Sequence, residues 1–149
     1  MSDDLAKYEK ECERIRAENA KLLDEFAEWL AAKGLAETTV RRHRQNMDFY
    51  LNYFLLYYDT EEAAKGVAKV GSFLGDWFIR KAMWASQTAI KSNATSLKKF
   101  YTFLLEKGEV EKDDLDELKD EIKDLMPDWL ETMALYDDPD VDFDDIWGP

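Results

Sequence analysis

Proline stands at only three of 149 positions, Pro127, Pro139 and Pro149. That scarcity constrains the fold more than any other feature. A proline inside a helix removes a backbone donor and clashes with the preceding turn, so residues 1–126 can form helices without interruption. They also carry the helical pattern. No stretch alternates apolar and polar residues as a half-buried strand does, whereas apolar residues recur at every third or fourth position. The sequence therefore predicts an all-α chain.

Hydrophobic residues make up 46% of the chain and aromatics 13%, enough to build a packed core. The longest unbroken apolar run, Tyr53 to Tyr58, is far short of the roughly 20 residues a bilayer span needs. The stretch from Met1 to Lys10 is charged throughout, so neither a transmembrane nor a secretory segment is expected. Cys12 is alone, which excludes an internal disulfide and a thiolate cluster for zinc and points to a reducing, cytoplasmic setting.

Helix boundaries follow from caps and spacing. A first helix over about Asp3 to Lys33 carries a seam at Leu5, Tyr8, Cys12, Ile15, Asn19, Leu22, Phe26 and Trp29, and Gly34 supplies its left-handed stop. The seam suits either the chain's own core or a coiled coil in which Asn19 sets the register. A second helix, about Glu37 to Tyr58, buries Val40, Met47, Tyr50, Leu51, Phe54 and Leu55 and turns Arg41, Arg44, Gln45, Asp48 and Asn52 to the other face. After a charged connection, Asp59 to Lys69, comes a third helix from about Val70 to Trp84, in which Gly71 and Gly75 allow close packing. Ser86 caps a fourth, about Gln87 to Lys107, with Ile90, Ala94, Leu97, Tyr101 and Leu104 inside and Lys91, Thr95, Lys98 and Thr102 outside; Gly108 closes it. A last seam, Leu115, Leu118, Ile122, Leu125, Trp129, Met133 and Tyr136, predicts further helices, with a new or kinked one starting at Pro127.

The formal charge of -13 is unevenly spread. Residues 1–33 hold 6 basic and 9 acidic groups, residues 34–108 hold 11 and 7, and residues 109–149 hold 3 and 17. The middle is mildly basic, and the acidity lies in the C-terminal segment. A whole-chain charge that would repel nucleic acid thus conceals a region that need not.

Enzymatic chemistry lacks an anchor. With His43 and Cys12 the sole residues of their types, no metal set, Cys/His dyad or Ser/His/Asp triad suggests itself. Gly66, Gly71 and Gly75 fit no phosphate-loop pattern, and Asp140, Asp142, Asp144 and Asp145 lack the central Gly and terminal Glu of a calcium loop. No catalytic residue, metal or cofactor is predicted.

One resemblance does emerge. An aromatic-rich helix end, Gly-Leu, a Thr and a long amphipathic helix appear as Phe26, Trp29, Leu30, Gly34, Leu35, Thr39, Val40, Arg41 and Arg44. A second pattern appears as Thr88, Leu97, Lys98, Phe100, Tyr101, Leu104, Gly108 and Val110. Together they resemble the N-terminal core-binding, SAM-like domain of tyrosine recombinases and phage integrases, standing alone without the catalytic domain. Ala36 and His43 depart from the family's usual Ser and aromatic, and residues 109–149 hold no Arg or His for a recombinase active site.

The resemblance implies an orthogonal four-helix SAM-like bundle at 23–110, with an N-terminal helical extension at 1–22. Extra C-terminal helices at 111–136 would pack on the bundle, and 137–149 would form an acidic tail. It further implies a non-catalytic module that binds duplex DNA weakly or conditionally. The DNA-facing residues would be Thr39, Arg41, Arg42 and Arg44 on the second helix and Thr88, Lys91, Lys98 and Lys99 on the fourth. The alternative is an integrase-derived scaffold without DNA. It would bind a protein partner, or itself, through the N-terminal seam or through tail residues Val141, Phe143, Ile146 and Trp147, which sit among carboxylates as in a docking peptide.

Overall fold

The computed structural model describes residues 2–137, which form six α-helices and no strand. Helix α1 spans Ser2–Ala32 and α2 spans Glu37–Phe49, extended by a π-helical turn at Tyr50–Phe54. A 3-10 segment, Ala63–Ala68, leads to a rod made of α3 (Val70–Ser72), a second π turn (Phe73–Trp77) and α4 (Phe78–Lys81). Helices α5 (Gln87–Glu106) and α6 (Lys112–Asp137) complete the bundle. The most extensive pairings are α5 with α6, α1 with α2, and α2 with α5, so α2 lies between α1 and α5.

The expected caps are in place. Gly34 and Gly108 adopt φ of 90° and 79°. Each allows the residue after it to bond back five positions, Leu35 N–H to Leu30 O at 3.4 Å and Glu109 N–H to Leu104 O at 2.9 Å. The Ser86 hydroxyl accepts from the Ala89 N–H at 3.0 Å and so caps α5.

The two π turns depart from the straight helices expected over 37–58 and 70–84. Leu55 N–H bonds to Tyr50 O, five residues back, at 3.0 Å. Widening the turn brings more consecutive residues to one side. Tyr50, Leu51, Phe54, Leu55 and Leu56 are therefore all buried, as are Phe73, Leu74, Trp77, Phe78 and Ile79. Aromatic crowding accompanies the widening, with Tyr50 stacked on Phe54 and Phe73 on Trp77.

One buried cluster runs from Leu23 in α1 to Met133 in α6, and a small second one joins Cys12 and Ile15 to Leu56. In α1 the buried face follows Cys12, Ile15, Asn19, Leu23, Phe26 and Leu30, whereas Leu22 and Trp29 are half-buried and Leu5 is exposed. A strict seven-residue seam drifts around a straight helix, and a core-facing helix follows the 3.6-residue turn instead. Asn19 does set a register, but within the chain: its side-chain amide donates to Asn52 Oδ1 at 2.8 Å.

Helix α6 continues through Pro127 as one element, where a new or kinked helix was expected, so no new helix starts there. Pro127 and Lys123, whose carbonyl loses its i+4 donor, are both exposed, so water can replace that bond. Along the same helix Leu125 is exposed and Met126 packs on the core in its stead.

Two fully buried tyrosines hold the 3-10 segment from opposite sides. The Tyr50 hydroxyl donates to Gly66 O at 2.6 Å and the Tyr101 hydroxyl to Ala63 O at 2.7 Å. Burial pushes both phenols well above their ordinary pKa, so they stay protonated as donors. Gly66 is required beneath them, because a Cβ there would lie 2.8 Å from Leu55 Cδ1 and closer still to the Tyr101 hydroxyl. Gly75 likewise admits α6, since its Cβ would stand 2.7 Å from Nε1 of the buried Trp129.

Two substitutions check these contacts by denaturant unfolding. Tyr101→Phe should cost about 1–3 kcal/mol for the lost buried hydrogen bond. Gly75→Ala should cost about 1–3 kcal/mol through overpacking against Trp129, and an unchanged midpoint would show that the contact between the second π turn and α6 is loose.

Candidate nucleic-acid interface

A polar seam fixes α2 against α5. Asn46 donates to Ser92 Oγ at 3.1 Å and to Ser96 Oγ at 2.9 Å, and His43 Nδ1 lies 2.7 Å from Ser96 Oγ. Ser96 spends its single proton on Ser92 O at 3.1 Å. With the proton so placed, the tautomer with hydrogen on Nδ1 lets His43 donate to Ser96. His43 and Ser96 are both buried, which makes the histidine a satisfied structural group rather than an open ligand. Its pKa is lowered, first by burial and then by Lys99 and Arg42 nearby.

That seam sorts the predicted basic residues. Arg44 turns toward α1 and pairs with Asp24 at 2.9 Å. Further along α2, Asp48 and Asn52 hydrogen-bond each other at 2.7 Å and Asn52 meets Asn19, so α1 covers much of the face that the sequence left open. Arg41 is exposed and pairs with Glu37 at 3.5 Å. Arg42, by contrast, is exposed and makes no ion pair among the described residues, and its charge, like that of Lys99, acts on His43.

On α5, Thr88 and Lys91 are exposed, while Lys98 and Lys99 are half-buried. None of the three lysines is paired with a carboxylate among the described residues. The cations left unneutralised are thus Arg42, Lys91, Lys98 and Lys99, and Arg41 and Arg44 are compensated locally. Thr39 is half-buried at the first turn of α2, which starts after Ala36 without a side-chain cap.

Lys98 and Lys99 also line an open groove of about 570 Å³ where the end of α1, α5 and α6 meet. Its other charged residues are Lys33 and Lys119, and no carboxylate lines it among the described residues. The Lys33 ammonium sits 4.9 Å from the Trp29 ring centroid. Neither Lys33 nor Lys119 was a sequence candidate. Lys119 lies in the most acidic third of the chain, where segment charge hides it. The polar seam was missed too, although Ser92 and Ser96 at i and i+4 facing His43 and Asn46 at i and i+3 was its available signal.

No cluster of three or more metal-ligating side chains and no helix long and apolar enough to cross a membrane occurs among the described residues. Tail candidates Val141, Phe143, Ile146 and Trp147 lie outside the described residues. Comparison of the chain with protein-family models, curated proteins and solved structures returned no match.

The buried His43 makes stability depend on pH with a definite sign. Its folded pKa lies below the unfolded value of about 6.5, so the unfolded chain binds the extra proton, and stability falls as pH drops through that value. Urea unfolding at about pH 7.5 and about pH 5.5 should show a larger loss for the wild type than for His43→Gln. Equal losses would mean that His43 is not desolvated.

Proposed function

We propose that the chain is a non-catalytic DNA-binding module, related to the core-binding domain of integrases, that engages duplex DNA weakly or conditionally through α2 and α5. The observation that carries this reading is the exposed or half-buried, unneutralised set Arg42, Lys91, Lys98 and Lys99 in a chain with 33 acidic and 20 basic residues. Ion pairs among the described residues take up Arg14, Arg41, Arg44, Arg80, Lys107 and Lys112. Of the cations outside those pairs, these four lie on the two helices joined by the polar seam, which favours an anionic partner such as the phosphate backbone. The polar seam between α2 and α5 supports the reading, since it holds the two helices in fixed relation.

A second reading, a helical protein-interaction scaffold, draws on a different surface. Met83 is 99% exposed, and Trp84, Tyr53, Tyr57 and Tyr58 are exposed around it. Phe49 packs on both Tyr53 and Trp84, so this aromatic surface is continuous with the core. Exposed aromatics of this kind favour protein contacts.

Anisotropy of a labelled duplex decides between them. Four neutralised phosphates give a log–log salt slope near -3.6, so affinity should fall about a hundredfold between about 50 and 200 mM salt. Replacing Arg42, Lys91, Lys98 and Lys99 by Gln should abolish most of it. Absence of binding at the lower salt, or a variant equal to the wild type, would sink the DNA reading. For the scaffold reading, light scattering at high concentration should give more than one chain's mass if self-association is its basis. Trp84→Ser should then restore the single-chain mass.

A further inference from the structure

We infer that the groove between α1, α5 and α6 is a seat for phosphate oxyanions, and that its source is the DNA backbone running beyond the α2–α5 face. The inference rests on the DNA reading for that source, but its chemistry stands on the groove itself. The turn after α1, helix α5 and helix α6 deliver Lys33, Lys98 with Lys99, and Lys119 to one concavity. All four are without carboxylate partners among the described residues, while Lys107 and Lys112, close in sequence, each hold one.

The surroundings leave the ammonium groups as the groove's donors. Thr95 and Thr102 commit their hydroxyl protons to Lys91 O at 3.1 Å and Lys98 O at 2.7 Å. The Trp29 indole N–H is taken by Glu106 at 3.3 Å. Trp29 is thereby held as a platform under Lys33, and the ring's negative face fixes the ammonium at the groove mouth. What remains is a concave wall with four full positive charges, and the carboxylate that touches a lining residue, Glu106, is held by the Trp29 indole.

A phosphodiester fits this chemistry, and four ammonium groups with no carboxylate among the lining residues repel a cation. An ammonium is a compact point charge with three rotatable donors, suited to phosphate oxygens at varied angles. The groove is contiguous with the proposed face, because Lys98 and Lys99 belong to both, and the charges of Lys99 and Arg42 both act on His43. A strand crossing α5 from the Arg42 side would therefore meet Lys33 and Lys119 next. Helix α6, the acidic addition to the bundle, would contribute a DNA contact through its one groove-facing cation.

Two measurements test the seat. Inorganic tripolyphosphate titrated into the isotope-labelled full chain should shift the amide resonances of Lys33, Lys98, Lys99 and Lys119 above those of Lys7 or Lys65. The Lys33→Gln/Lys119→Gln variant, which leaves the α2–α5 cations intact, should lose those shifts, weaken duplex binding several-fold and flatten the salt slope by about one to two. If the duplex binds and this variant matches the wild type in affinity and slope, the seat is overturned while the DNA reading stands. If no duplex binds but tripolyphosphate shifts the groove, the seat is upheld for a free phosphate ligand and the DNA reading is lost. Shifts spread evenly over all lysines, or none, would overturn the seat whatever the duplex does.

Discussion

The bundle depends on how a backbone segment with helical ends on both sides is kept inside it. The 3-10 segment Ala63–Ala68 brings polar carbonyls into the core, where an unpaired acceptor is costly. Tyr50, at the π turn after α2, and Tyr101, in α5, each deliver a buried hydroxyl to it. Those two donors tie the segment to both helices at once, and Gly66 provides the space for them. With the segment fixed, the rod from Val70 to Lys81 is aimed across α6, where Gly75 meets Trp129. Helix α6 then shares the core of α5 rather than lying beside it, which is how Lys119 reaches the groove.

The same economy of polar burial shapes the α2–α5 face. His43, Asn46, Ser92 and Ser96 close a hydrogen-bonded seam between α2 and α5 in which every named donor has an acceptor. A satisfied polar seam specifies one relative placement of two helices, whereas an apolar one tolerates sliding. Here His43 feels the charges of both Arg42 and Lys99, while Arg44 turns away to Asp24. Local charge compensation does the rest. Arg41 and Arg44 meet acids of their own chain, and the cations of α5 do not.

Much of the architecture was legible before any coordinates. The ends of α1 and α5 follow from Gly34 and Gly108, the start of α5 from Ser86, and the inner stripe of α5 from Ile90, Ala94, Leu97, Tyr101 and Leu104, all of them buried. The π turns were not legible, because they arise where Tyr50, Phe54, Phe73 and Trp77 compete for one interior, and spacing along a chain does not record that competition. Nor was the exchange of Leu125 for Met126, which depends on where α5 lies. Of the candidate interface, Lys91 and Lys98 were marked by periodicity and resemblance together, Arg42 and Lys99 by the resemblance alone, and Lys33 and Lys119 by neither.

The sequence by itself determined that this protein is all helical, where its helices α1 and α5 stop, and that its acidity is concentrated after residue 108. These are properties of local sterics, capping and composition, which act within a few residues. Tertiary structure alone decided which charges are spent and which remain. Asp24 reaches Arg44, Glu25 reaches Lys107, and Lys33 and Lys119 converge on Lys98 across the fold. The physical reason is that helical periodicity says which side of a helix is polar but not what lies opposite it. An ion pair or an uncompensated cluster is a fact about the opposite side.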